Sequence, residues 1–257
     1  MKKQAKPAAK NSANKKPVLI NFILDKSGSM GSILTDTIGG FNTYIQQLQL
    51  DEESAYKFSL TLFNTGFENR HVAVDMKNVP ELTQRTYLPS GGTALYDAIG
   101  ATVAKVENES PDVEKVLTVI LTDGQENSSR EYRRETIKAL IERKEKEGNW
   151  TFVFLGAGLD SFAVGDSIGV SAQNAVQYDT GNITAMFRNT ARASIAFSAS
   201  RHRQVDNLYQ TVPAPAMSAA GMSVRPQKES PLPGGHVQNA GEGPQDVDPA
   251  ATASSSL

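Results

Sequence analysis

The chain of 257 residues contains no cysteine. That excludes disulfide staples, thiol catalysis, cysteine-based zinc sites and iron–sulfur clusters. A chain of this length can bury a core without such staples, and the lack of thiols fits a reducing compartment. Histidine is scarce, and His71, His202 and His236 show no metal-ligand spacing. Long apolar runs are missing as well. The longest near the start, residues 18–24, is interrupted by Asn21. It is too short for a signal-peptide core and far short of a membrane span. The lysine-rich segment before it has no arginine and carries Pro7, a poor match to a transit peptide. These absences predict a soluble, cytoplasmic protein with no membrane contact. A strong net charge is also lacking, the formal value being −2, so the total does not point to nucleic acid.

What charge there is lies unevenly. Residues 1–16 hold Lys2, Lys3, Lys6, Lys10, Lys15 and Lys16 and no acid, which makes the remainder mildly acidic. With almost nothing apolar, this leader cannot order itself. It has no aromatic residues to stack on bases, so a solubilising leader is expected and not a nucleic-acid arm. At the other end, aromatics stop at Tyr209 and Pro, Ala, Gly and Ser take over, the composition of a disordered tail. The expected organisation is a basic leader over 1–16, one folded domain over 17–210 and a tail over 211–257.

Within the domain, short apolar runs alternate with helical spacing. Residues 18–24 and 116–121 have the pattern of buried strands. Ile33, Ile38, Phe41, Ile45 and Leu48 recur at helical intervals, as do Leu95, Ala98, Ile99, Val103 and Val106. Residues 58–63 and 71–74 suggest a hairpin. A charged helix is expected over 131–147 with an apolar stripe of Tyr132, Ile137, Leu140 and Ile141, ended by Gly148. A strand over 151–155 and helices over 161–168 and 183–200 complete the domain. This alternation predicts an α/β fold, a doubly wound and mostly parallel sheet covered on both faces. Ligands of such sheets bind at the carboxyl ends of the strands. Attention therefore falls on the loops after Leu24 and Leu121.

The first of these loops begins Asp25, Lys26, Ser27, Gly28, Ser29, and the second is Thr122, Asp123, Gly124. Between them, Gly91, Gly92 and Thr93 open a helix. Each loop offers short oxygen side chains where the fold should bring them together. Oxygen-only ligation by mixed neutral and anionic groups suits Mg²⁺ or Mn²⁺. Gly28, Gly91, Gly92 and Gly124 allow tight backbone. Taken singly, each residue also has a structural reading. Ser29 and Thr93 can cap helices, and Asp123 can hold a turn. Asp97, one turn into the second helix, could support the metal site or favour the helix terminus. Glu126 could shape a partner surface or stand in solvent, and Lys26 could meet a partner acid or water.

Asp25 to Ser29 resembles the DxSxS signature of von Willebrand factor type A domains, with Gly91-Gly92-Thr93 similar to their threonine loop and Leu121 to Gly124 to their aspartate loop. The resemblance covers nearly all of 17–200. It is closest to stand-alone A domains of bacteria and phages in the segments 37–42, 93–99, 124–129 and 154–157. It implies a metal-ion-dependent adhesion site, with Ser27, Ser29 and Thr93 touching the metal and Asp25 and Asp123 mostly holding its waters. A carboxylate of a partner protein then completes the octahedron. It further implies that ligation can be coupled to movement of the last helix of the domain, and that a separate ATPase can be a partner, since this chain has no Walker loop.

Two rival classes differ in what they require. A phosphatase of the haloacid dehalogenase type would use Asp25 as nucleophile, but it needs an acid where Ser27 stands, and a hydroxyl cannot do that proton transfer near neutral pH. A serine hydrolase would need a GxSxG elbow and a suitable histidine, and neither is present. The expectation is a binding protein and not an enzyme. A scaffold in which the metal only staples loops stays open.

Overall fold

A computed structural model describes residues 16–109, 112–157 and 160–225. The predicted leader, apart from Lys16, and the end of the tail lie outside these residues. Along the chain run β1 (Val18–Asp25), α1 (Leu34–Gln49), β2 (Tyr56–Phe63), β3 (Phe67–Asp75), α2 (Leu95–Glu109), β4 (Lys115–Thr122), α3 (Arg134–Lys146), β5 (Trp150–Ala157), α4 (Ser161–Ser167), β6 (Ala175–Tyr178), α5 (Ile183–Ala199), α6 (Ala214–Ala219) and β7 (Ser223–Val224). The strands form one seven-stranded sheet in the order β3-β2-β1-β4-β5-β6-β7. The five inner strands are parallel, and β3 and β7 close the edges antiparallel. The doubly wound, mostly parallel α/β sheet read from the sequence is therefore the observed one.

Strands buried on both faces explain the near-continuous apolar runs. Phe22, Leu24, Val119 and Leu121 point to one face, where Phe41, Tyr44 and Leu48 of α1 and Met186 and Phe187 of α5 cover them. Leu19, Ile23 and Ile120 point to the other, under Ile99 and Val103 of α2 and Ile137 and Ile141 of α3. Aromatic edge contacts of Phe22 with Phe41 and Tyr44 fill the first layer, at centroid separations of 5.5 and 5.3 Å. Helices α1 and α5 approach closely because Gly40 leaves room for the Phe187 ring, against which any Cβ would collide.

Two expectations are corrected. The folded part does not stop at residue 210. Helix α6 and strand β7 follow, and Val212, Ala220 and Met222 are buried in the first core. The Pro/Ala composition concealed these few apolar anchors. Tyr132 is not on the charged helix, which begins at Arg134. Its ring instead fills the space above Gly100 of α2. Gly148 does end α3, with φ of 79°, the left-handed conformation that glycine adopts most readily at this position.

Glu145 near the end of α3 gives a pH-dependent prediction. Burial, with Asp206 and Glu142 nearby, pushes its carboxyl up to about 7 against a single weak bond from the Phe152 N–H. A raised carboxyl favours the protonated folded form, so its stabilisation is complete below the unfolded value near 4.5 and is lost as pH rises toward 7. Glu145→Gln is therefore expected to stabilise the protein by about 1–2 kcal/mol at pH 8, after allowing for partial solvent screening. The gain should shrink toward pH 5. Denaturant titrations at the two pH values check it.

Candidate metal centre

The sheet reverses direction of growth between β1 and β4, since β2 lies on one side of β1 and β4 on the other. Loops diverge at such a switch point and leave a crevice at the carboxyl ends of the strands. The Asp25 and Asp123 loops both start there.

Asp25 is fully buried and forms the floor. Its Oδ1 accepts the Ser27 N–H at 2.6 Å and its Oδ2 accepts the Thr122 hydroxyl at 2.5 Å. The Tyr87 hydroxyl donates to its carbonyl at 2.5 Å. The Ser27 and Ser29 hydroxyl oxygens lie 3.1 Å apart, and Ser29 donates to Asp123 Oδ1 at 2.6 Å. Thr93 joins them from the third loop. A Cβ placed on Gly124 would stand 2.8 Å from Thr93 Oγ1 and 3.5 Å from both Ser27 Oγ and Ser29 Oγ. The three hydroxyls thus face one small cradle that glycine leaves open. Ser27 and Thr93 are buried while Ser29 is exposed and Asp123 half-buried, so the cradle opens outward.

The electrostatics are those of a site short of positive charge. Burial pushes the Asp25 carboxyl up to about 6, against the Thr122 and Ser27 hydrogen bonds, with Asp123 adding to the rise. Burial also raises Asp123. Two carboxylates and three hydroxyls, all oxygen, around an open cradle fit a hard divalent cation.

The structural readings of single residues fare differently. Ser29 makes no side-chain cap on the turn or helix that follows. Nor does Thr93 cap α2. That duty falls to the loop after β4, where Glu126 Oε2 accepts the Tyr96 N–H at 3.0 Å and Ser129 Oγ the Asp97 N–H at 3.1 Å. Glu126 also accepts the Ser128 and Ser129 N–H groups, at 2.9 and 2.8 Å, so it is a loop clamp and not a partner-facing group. Asn127 Oδ1 holds the Thr93 N–H at 2.9 Å, and the Thr93 carbonyl receives the Asn127 and Ser128 N–H groups. Lys26 pairs with Glu68 at 3.5 Å on the neighbouring hairpin. Of the four glycines, only Gly91 uses positive φ, 72°. Thr122, Tyr87, Asn127 and Ser129 were given no role from the sequence. Thr122, directly before the aspartate and at the same register as Asp25, was the one with a readable signal.

Asp97 accepts three backbone N–H groups, from Arg130 at 2.8 Å, Glu131 at 2.9 Å and Tyr132 at 2.8 Å. It fastens the end of the aspartate loop to α2. Asp97→Ala strands these donors and is expected to cost about 2–4 kcal/mol, with Asp97→Asn costing less. Faster amide exchange at 130–132 would accompany the loss. Unchanged exchange there would refute the clamp.

The fold is that of von Willebrand A domains. The vWF domain of the type V pilus tip protein Mfa5 from Porphyromonas gingivalis matches with TM-score 0.56 and 14% identity, over 74% of this chain and 98% of that one. The pilus adhesin SpaC from Lactobacillus rhamnosus GG matches with TM-score 0.53 and 15% identity, over 72% of this chain and 31% of that one. The proximal thread matrix protein 1 of the mussel byssus, solved with a zinc-occupied MIDAS motif, matches with TM-score 0.50 and 16% identity, over 70% of this chain and 46% of that one. The chain thus spans about half the length of the mussel protein. No family model matches, and no curated protein matches the sequence. No helix among the described residues is long and apolar enough to cross a membrane.

Proposed function

We propose that this chain is a divalent-metal-dependent protein-binding module of the adhesion type, and not an enzyme. Ser27, Ser29 and Thr93 would touch the ion, and Asp25 and Asp123 would hold its waters. Mg²⁺ or Mn²⁺ suits this oxygen set. A partner Asp or Glu carboxylate would complete the ion's shell. The observation that carries the reading is the convergence of three hydroxyls from two loops on the cradle beside Gly124. Similarity of fold to pilus proteins and to a zinc-occupied protein supports it. When bound, the ion supplies positive charge and an open ligand position. The chain's own residues supply rigidity, since the Thr122 hydroxyl and the Ser27 N–H fix both oxygens of Asp25. Against phosphoryl chemistry stands Ser27, a hydroxyl where a proton-donating acid is needed. An ATPase on another chain is one class of partner this reading accommodates.

The test couples metal to partner. Immobilised protein is exposed to native lysate in Mg²⁺ and in chelator, beside an Asp25→Ala, Ser27→Ala variant. A partner retained only by wild type with Mg²⁺ is the expected result. Retention that ignores both metal and mutation, with a lower-melting variant, would make the site a structural staple.

A further inference from the structure

Tyr178 ends β6, in register with Ala157 at the end of β5. Asp123 stands just past β4, which pairs with β5 up to Thr122 and Gly156. Asp123, Ala157 and Tyr178 therefore lie side by side across three neighbouring strands. All three line one cleft of about 540 Å³ beside the metal loops. The Tyr178 ring is packed in the same core as Met30, Tyr87 and Leu121, with only 2% exposure.

Its hydroxyl is buried and has no hydrogen-bond partner among the described residues. A buried phenol usually finds one, and leaving it unmade costs about 1–3 kcal/mol. Tyr87, close by, does find one on the Asp25 carbonyl. Burial holds the Tyr178 phenol protonated, and the charges that reach it are those of Asp123 and Asp25. An O–H donor thus stands beside the Asp123 loop without bonding any group among the described residues.

We propose that Tyr178 is a positioning residue of the metal centre, its unmet hydroxyl donor pairing with the Asp123 carboxylate when that group turns from Ser29 to hold a water of the bound ion. It thereby orients an acid that holds one of the ion's own waters. Outer groups of this kind tune metal affinity by roughly 10–100-fold. The inference rests on the metal-binding reading of the site.

Tyr178→Phe removes one oxygen and keeps the ring. Mg²⁺ alone is titrated by calorimetry into the full-length wild type and variant, and the melting of both is measured without metal. The expected result is affinity weakened about tenfold, with metal-free melting equal to or above wild type because an orphan donor has gone. In wild type, Mg²⁺ should also perturb tyrosine ultraviolet absorption, and the variant should lose most of that signal. Equal affinity overturns the proposal, and so does a weakened affinity matched by a lower metal-free melting temperature. Failure of wild type to bind Mg²⁺ would overturn the metal reading itself and this inference with it.

Discussion

Gly124→Ala is expected to abolish Mg²⁺ binding while leaving the fold in place. The new methyl would sit 2.8 Å from Thr93 Oγ1, closer than carbon and oxygen tolerate, so one side must move. The Thr93 backbone cannot give way, because Asn127 and Ser128 hold both its N–H and its carbonyl. Its hydroxyl must rotate out of the cradle, and the methyl takes its place between Ser27 and Ser29. The backbone at Gly124 is outside the positive-φ group, and its N–H bond to Thr122 Oγ1 at 3.0 Å does not need glycine. Loss of metal-free stability should therefore stay near 1 kcal/mol, the lower end of overpacking costs. The contrast appears when metal is added. Wild type should gain about 2.7 kcal/mol at a Mg²⁺ concentration 100 times Kd, and the variant should gain nothing. Calorimetry and melting with and without Mg²⁺ measure both halves. A variant that keeps wild-type affinity would show that the three hydroxyls are not the ligands.

That prediction uses residues readable in advance, and the reason is general. Short oxygen side chains directly after apolar strands stand out against hydrophobic runs, and the parallel topology dictates that those loops meet. Asp25, Ser27, Ser29 and Asp123 were legible for this reason, and Thr93 through the glycine pair before it at the start of a helix. The second ring was not. Asn127 and Ser129 sit in a polar stretch that composition cannot tell from solvated loop, and only the folded path shows Asn127 holding the Thr93 N–H and Ser129 capping α2. Asp97 was weighed as a metal support or a helix-terminus charge, whereas its three bonds run across to 130–132. Long-range partners of this kind leave no periodic mark. Among the strands, β1, β4 and β5 were visible as apolar runs of several residues, and β2 and the second half of β3 as a hairpin. The four residues of β6 and two of β7 are too few to set a period. Missing β6 also hid Tyr178, whose place beside Asp123 depends on strand order and not on spacing.

Lys115→Met is expected to be among the most destabilising single changes in the chain, although Lys115 lies far along the sequence from its partners. It is the first residue of β4 and has no exposed surface. Its ammonium donates to the carbonyls of Phe197 at 2.7 Å, Ser200 at 2.8 Å and His202 at 2.9 Å. It also lies 4.5 Å from the centre of the Phe197 ring. One cation thus bridges a carbonyl in the last turn of α5 to two in the turn beyond. The Phe197 carbonyl is of the kind a helix leaves unpaired at its C-terminus, where a positive charge is also favoured by the helix dipole. Methionine nearly conserves the volume, so little cavity forms and the loss isolates the polar contacts. Water can reach the outer two carbonyls, which limits the penalty, while the Phe197 carbonyl stays buried with one long bond from the Ser200 N–H at 3.2 Å. The balance is a cost of about 2–4 kcal/mol, equivalent to a fall in Tm of roughly 5–15 °C for a domain of this size. Helix α5 packs along α1 in the first core, so its C-terminal half should show the largest rise in amide exchange. A loss under about 1 kcal/mol, at the level of a surface substitution, would mean that α5 is held by its apolar face alone.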